Sequence, residues 1–230
     1  MPEPKGACRF NLIPDQSGNE EARDNEEDID AYEAAAEAFS QPLDRPVDAV
    51  VIGASAGGLA ALSALVSGLP RTFRLPLLMV QHVPPKGPTQ LVEIFQRKTD
   101  LAVKEARDKE PVHGGTLYFA APGYHLLVEA DMTLSLSQDE AMHFSRPSID
   151  VLFESAADAW GDRVAGILLT GANEDGAAGL ESIKQAGGLT IVQEPGEAEV
   201  PTMPLAALQR FAPDYILPLR DIHRLLRELE

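Results

Sequence analysis

The stretch AVVIG within VDAVVIG (47–53) has no polar face, and it ends directly in the glycine-rich turn GASAGG (53–58) and the helix-period stretch GGLAALSALVSGL (57–69). A strand that is apolar on both sides must be covered on both sides, which is the situation of a central strand in a parallel sheet. The pattern recurs along the chain. LPLLMVQ (75–81) precedes a helical pattern at 89–97. After a helix predicted at 148–160, the strands RVAGILLTG (163–171), LTIVQ (189–193) and YILPL (215–219) are followed by helical patterns at 177–186, 205–211 and 222–230. Strands alternating with helices build βαβ units, so the fold class is α/β with a parallel sheet.

Two regions depart from this alternation. TLYFAA, HLLVEA and TLSLS lie close together between Gly115 and Ser137, and we expect them to form an antiparallel hairpin or meander at one sheet edge. Residues 1–47 hold twelve Asp/Glu against four Lys/Arg, which is about half of the formal net charge of −17. The polar stretch 19–30 offers too little apolar surface to offset the entropy lost on ordering. Residues 1–46 are therefore expected to be an acidic, disordered tail, in which DIDAYEAAAEAF (28–39) favours a short helix ended by Pro42 and Pro46. A domain over 47–230 follows.

An acidic surface repels phosphate backbones, which argues against nucleic acid as a partner. The single cysteine, Cys8, rules out an intrachain disulfide and a cysteine metal cluster. No apolar run approaches the roughly 20 residues needed to span a bilayer, and the acidic N-terminus does not read as a secretory signal. The expectation is a cytoplasmic protein without membrane insertion.

Ligands of open α/β sheets gather beyond the carboxyl ends of the strands, so the residues that follow each strand carry the chemistry. GASAGG follows the first, QHVPP (81–85) the second and TGANEDGAAG (170–179) the strand at 163–171. Three strand ends thus present a serine, a histidine and an acid. Ser55 stands between glycines that permit a tight turn and a close substrate approach. The N–H groups of Ala56 and Gly57, at the start of the next helix, are candidate oxyanion donors. Of the five histidines, only His82 directly follows a strong buried strand, and an imidazole suits the general base that a serine hydroxyl needs. The acid is Glu174 or Asp175; local reading does not separate them, and Asp175 also suits the cap of the helix behind it. The spacing resembles the nucleophile elbow G-x-S-x-G, although the order is Ser–His–acid. Glycine-rich turns of this kind also bind nucleotides, but the spacing here is G-x-x-x-G-G, and Gln81-His82 stand where an acid would hold a ribose. Without H-x-x-x-H or C-x-x-C pairs, no metal site is expected.

Taken together, VVIGASAGG (50–58), QHVPP (81–85), APGYHLLVE (121–129), FSRPSIDVLFESAA (144–157), LTGANEDGAAGL (169–180) and QEPGEAEVPTMPLAAL (193–208) resemble the catalytic domain of the chemotaxis protein-glutamate methylesterases, the CheB family. The resemblance runs from about Val47 to the C-terminus. It implies a doubly wound, mostly parallel sheet with an antiparallel hairpin at one edge. It also implies hydrolysis of glutamate γ-methyl esters and deamidation of glutamines on chemoreceptor cytoplasmic helices. It assigns Ser55 as nucleophile, His82 as base and Asp175 as the orienting acid. No cofactor is implied. The partner would be a methyl-accepting chemoreceptor or similar sensory protein; a chemosensory kinase or response regulator is a further candidate.

Two departures from the family pattern stand out. Ala56 replaces a frequent threonine, and Gly171-Ala172-Asn173-Glu174-Asp175-Gly176 replaces G-M-G-x-D-G. The acidic segment before residue 47 is too short to form a phosphorylatable receiver module, so regulation by aspartyl phosphate within this chain is not expected. Arg146 and Met203 are further candidate substrate-binding residues. For Arg146 the two readings are a grip on receptor carboxylates and a buried ion pair with Asp150.

Overall fold

The computed structural model of the protein describes residues 45–82 and 90–229. The tail expected over 1–46 and its helix at 28–39 lie outside the described residues, apart from Arg45 and Pro46.

Seven strands form one sheet in the order β3-β4-β2-β1-β7-β8-β9, and every pairing between them is parallel. They are β1 (Ala49–Ala54), β2 (Leu77–Gln81), β3 (Ala102–Glu105), β4 (Thr116–Phe119), β7 (Val164–Leu168), β8 (Leu189–Gln193) and β9 (Tyr215–Leu217). All residues of β1, β2, β4, β7 and β8 are buried, as their unbroken apolar runs require. The helices are α1 (Gly58–Val66), α2 (Leu91–Gln96), α3 (Ile149–Trp160), α4 (Ala177–Gln185), α5 (Thr202–Arg210) and α6 (Leu219–Glu228). Alternate strand residues Val51, Leu78, Val80, Val164, Leu168 and Val192 share one core with Ile149, Leu152 and Phe153 of α3, Leu180 and Ile183 of α4, and Met203 and Ala207 of α5. Helices α1 and α6 pack on each other, joined by a 2.8 Å contact between His223 Nδ1 and the Leu65 carbonyl.

The central strand β1 pairs with β2 on one side and β7 on the other, Ile52 lying opposite both Met79 and Ile167. The strand order reverses direction at β1. Loops diverge there and leave a crevice beyond the carboxyl ends. Ser55 and His82 follow β1 and β2, and Asp175 lies in the loop between β7 and α4.

The middle region differs in detail from the sequence expectation. TLYF (116–119) does not join the hairpin; it enters the main sheet as β4, between β2 and β3. Its four residues are all buried, a pattern unsuited to a half-exposed ribbon. The hairpin consists of β5 (His125–Val128) and β6 (Leu134–Ser137) alone, a separate two-stranded antiparallel sheet whose β5 packs on α3. Strand β3 was not anticipated. It is a short edge strand with two exposed residues, and Lys104 within it pairs with Glu110; such a segment has no apolar run to announce it. Among the described residues no helix is long and apolar enough to cross a membrane.

Candidate active site

The turn after β1 is shaped by contacts on every side. Gly57 has φ +77°, a conformation that penalises any side chain, and an added Cβ would lie 2.7 Å from Glu199 Cβ. At Gly58 a Cβ would stand 2.1 Å from Gln81 Oε1. The Ser55 N–H donates to the Thr170 carbonyl (2.9 Å), and the Thr170 hydroxyl donates to the Ala56 carbonyl (2.8 Å). The Gln81 amide donates to the carbonyls of both Ser55 and His82, each at 2.9 Å. Ser55 and His82 are thereby clasped through one side chain. The Ser55 N–H is consumed, but the N–H groups of Ala56 and Gly57 have no acceptor among the described residues. These are the two groups expected to serve an oxyanion.

The structure brings Ser55, His82 and Asp175 into one hydrogen-bonded line. His82 Nδ1 lies 3.2 Å from Ser55 Oγ, and Nε2 lies 2.7 Å from Asp175 Oδ2. Asp175 is fully buried, whereas the Glu174 side chain is 71% exposed and turned away, which removes the ambiguity between them. Asp175 Oδ1 accepts from the Ser148 hydroxyl (2.7 Å) and the Asp150 N–H (3.0 Å), and Oδ2 accepts from the Ile149 N–H (2.8 Å). The carboxylate therefore sits on the first turn of α3, where unpaired N–H groups favour negative charge. Burial pushes the Asp175 carboxyl up, but the bonds from His82, Asp150, Ile149 and Ser148 outweigh it and hold the group below the usual carboxylate range. An ionised carboxylate only accepts, so Nε2 carries the imidazole proton and Nδ1 presents its lone pair to the Ser55 hydroxyl.

Further residues support this line. Buried His125 accepts the Ser148 N–H at Nδ1 (3.1 Å), and its Nε2 donates to the Glu140 carbonyl (3.0 Å). Asp150 accepts the N–H groups of Gly176 (2.9 Å) and Gly179 (2.7 Å) at the start of α4. Burial pushes its carboxyl up, aided by the nearby Asp175 charge and opposed by the Gly179 N–H and by His143. Gln81, Ser148 and Thr170 were missed as site residues in the sequence reading. Their signal is weak: each is a common polar residue at the end of an element, distinguished only by what folds against it.

Arg146 lines, with His82 and Phe144, a cleft of about 230 Å³. The expected alternative of an ion pair with Asp150 is not what forms. Arg146 Nη1 donates to the carbonyls of Gln138 and Asp139, both at 2.8 Å, and His143 is the residue that pairs with Asp150, at 3.2 Å. Met203, expected at the substrate, is fully buried. A Cβ on Gly171 would lie 2.4 Å from Met203 Cε and 3.0 Å from Ser55 Cβ, so Met203 fills the space behind Ser55 and exposes no surface there. Ser55 itself opens on a second depression of about 450 Å³, shared with Leu59, Ile94, Lys98 and Glu199. The Ser55–His82 contact joins the two. His143, Asp150 and Asp175 place potential ligand atoms within 4.8 Å of one another, but both Asp175 oxygens already accept hydrogen bonds.

The family model described as CheB methylesterase matches residues 50–226. The chain belongs to the CheB methylesterase family. It is 44% identical over 183 residues to a Leptospira interrogans protein named "Putative protein-glutamate methylesterase/protein-glutamine glutaminase", covering 80% of this chain and 95% of that one. Identity is 36% over 173 residues to the protein-glutamate methylesterase/protein-glutamine glutaminase of Symbiobacterium thermophilum, covering 75% of this chain and 48% of that protein. The crystal structure of the Thermotoga maritima CheB methylesterase catalytic domain is similar with a TM-score of 0.77 at 32% identity, over 80% of this chain and 99% of that one.

Proposed function

We propose that this chain is a serine hydrolase that removes methyl groups from glutamate γ-methyl esters, and deamidates glutamines, on the cytoplasmic helices of a methyl-accepting chemoreceptor. The observation that carries this reading is the aligned Ser55–His82–Asp175 contact at the sheet's switch point, with distances of 3.2 and 2.7 Å. The Ser55 hydroxyl attacks the ester carbonyl while His82 Nδ1 takes its proton. Asp175 supports the imidazolium through Nε2. The Ala56 and Gly57 N–H groups stabilise the carbonyl oxygen as it gains charge. His82 returns the proton to the departing methoxide, methanol leaves, and a glutamyl ester of Ser55 remains. Water then hydrolyses that ester by the same route, and no cofactor is required. Arg146 contributes by holding the cleft wall through the Gln138 and Asp139 carbonyls.

The test is methanol release from a methylated receptor fragment by the wild type and by Ser55→Ala. Loss by several powers of ten is expected. Equal rates refute the assignment, and failure of a fluorophosphonate to label Ser55 in the wild type speaks against an activated nucleophile.

A further inference from the structure

His82 Nδ1 has a second hydroxyl beside it. Ser145 Oγ lies 3.5 Å away, against 3.2 Å for Ser55 Oγ. The triad mechanism uses only Ser55, yet the chain holds Ser145 in place by unusual means. Met142 and Ser145 exchange both backbone hydrogen bonds, at 3.1 and 2.7 Å, across a two-residue turn. The central residues, His143 and Phe144, have φ of +48° and +60°. Such turns are normally built from Asn and Gly, and strain of this kind concentrates at functional sites. Outside contacts maintain it. The His143 ring lies between Asp150 (3.2 Å) and Glu174 (3.4 Å), and Arg146, immediately after the turn, is tied to the Gln138 and Asp139 carbonyls. The Ser145 hydroxyl donates back to the His143 carbonyl at 3.4 Å, which leaves its oxygen as an acceptor facing His82.

We infer that Ser145 is a positioning residue for the water that hydrolyses the glutamyl-enzyme, an inference that rests on the esterase reading above. After methanol leaves, Ser55 Oγ is esterified and no longer donates, so His82 Nδ1 presents a free lone pair. Water entering the vacated leaving-group position gives one proton to Nδ1 and the other, as a hydrogen bond, to Ser145 Oγ. Two acceptors fix its orientation and aim its oxygen at the acyl carbon. The water oxygen bonds to that carbon and Nδ1 takes the first proton. The tetrahedral intermediate then collapses, the bond from carbon to Ser55 Oγ breaks, and Nδ1 returns the proton to Ser55. The γ-carboxylic acid is released and ionises. Departing methanol has no second proton for Ser145, so the residue acts on deacylation and not on ester acylation.

Rapid-quench kinetics with a methylated receptor fragment separate the two steps. Methanol reports acylation, and intact-protein mass reports the glutamyl-enzyme. Ser145→Ala is expected to release one equivalent of methanol at the wild-type rate. It then turns over roughly ten- to a hundredfold more slowly, with acyl-enzyme accumulating. Ser145→Thr, which keeps the hydroxyl, restores turnover. Wild-type turnover by Ser145→Ala overturns the inference. So does an equal loss of both phases in the Ala and Thr variants, which is the mark of a structural role. The esterase reading fails separately, if the wild type itself releases no methanol or Ser55→Ala matches it.

Discussion

The Ser148 hydroxyl donates to Asp175 Oδ1 at 2.7 Å, and both side chains are buried where Asp175 meets His82. This bond joins the start of α3 to the loop after β7. It makes the acid of the site an anchor between two elements as well as the partner of His82.

Asp175→Asn therefore has two expected consequences. An amide nitrogen replaces one acceptor among four donors, so stability falls by about 1–3 kcal/mol. The tautomer of His82 is no longer held, and esterase turnover falls on the order of ten-thousandfold. Denaturant melts and methanol assays on the same preparation check both. A variant with full activity would remove Asp175 from the mechanism.

Gly58→Ala forces a methyl group to within 2.1 Å of Gln81 Oε1 and 2.8 Å of Ala54 Cβ. Gln81 must release the carbonyls of Ser55 and His82 to make room. The expected outcome is a loss of about 1–3 kcal/mol from overpacking, with turnover falling more than tenfold as the backbone at Ser55 and His82 loses its common clasp. Melting temperature and turnover number read the two effects independently.

Phe144 is fully exposed at the rim of the cleft and has a positive φ of +60°. Phe144→Gly removes backbone strain worth about 1 kcal/mol, so the melting temperature is expected to hold or rise. An aromatic ring held in solvent beside the reacting groups is placed to touch substrate, so KM for a receptor fragment is expected to rise severalfold with kcat little changed. An unchanged KM would show that the ring makes no contact with substrate.

Asp214 links α4, β8 and the turn before β9. It accepts from Lys184 Nζ (2.6 Å) and from the Thr190 N–H (2.9 Å) and hydroxyl (2.8 Å). Burial pushes its carboxyl up, yet the bonds from Lys184 and Thr190 prevail and leave it below the ordinary value. A carboxyl depressed in the folded state contributes stability above its unfolded pKa of about 3.9, and that contribution is lost as pH falls through the folded value. Asp214→Asn should thus be less stable than wild type by about 1–3 kcal/mol at pH 7. The gap should close as pH drops below about 4. Urea midpoints between pH 7 and pH 2.5 test this; a gap independent of pH would show that the ionised carboxylate is not the source.

Five of the seven main-sheet strands and the helices after them were legible in the sequence, because an apolar run of strand length and a 3.6-residue period are local properties. Ser55 and His82 were legible for a related reason: a ligand crevice forms where strands end, and their positions follow from strand boundaries alone. Pairing is not local. TLYF (116–119) reads like its neighbours in the hairpin region, and only the space between β2 and β3 sends it into the main sheet. Local residues leave Asp175 and Glu174 open, and the resemblance to the CheB family points to Asp175; in the folded chain Asp175 is the carboxylate that meets the first turn of α3. Arg146 lines the cleft beside His82 while its Nη1 holds the Gln138 and Asp139 carbonyls, whereas Met203, in the first turn of α5, is buried behind Ser55. Ser145 lies within FSRPSIDVLFESAA, but no local property marks its hydroxyl as a neighbour of His82. It reaches that place through a turn closed by the Met142–Ser145 backbone pair and held by long-range contacts from Asp150 and Glu174 to His143. Sequence patterns encode which elements form and where they end; packing between distant elements decides which side chains at those ends meet.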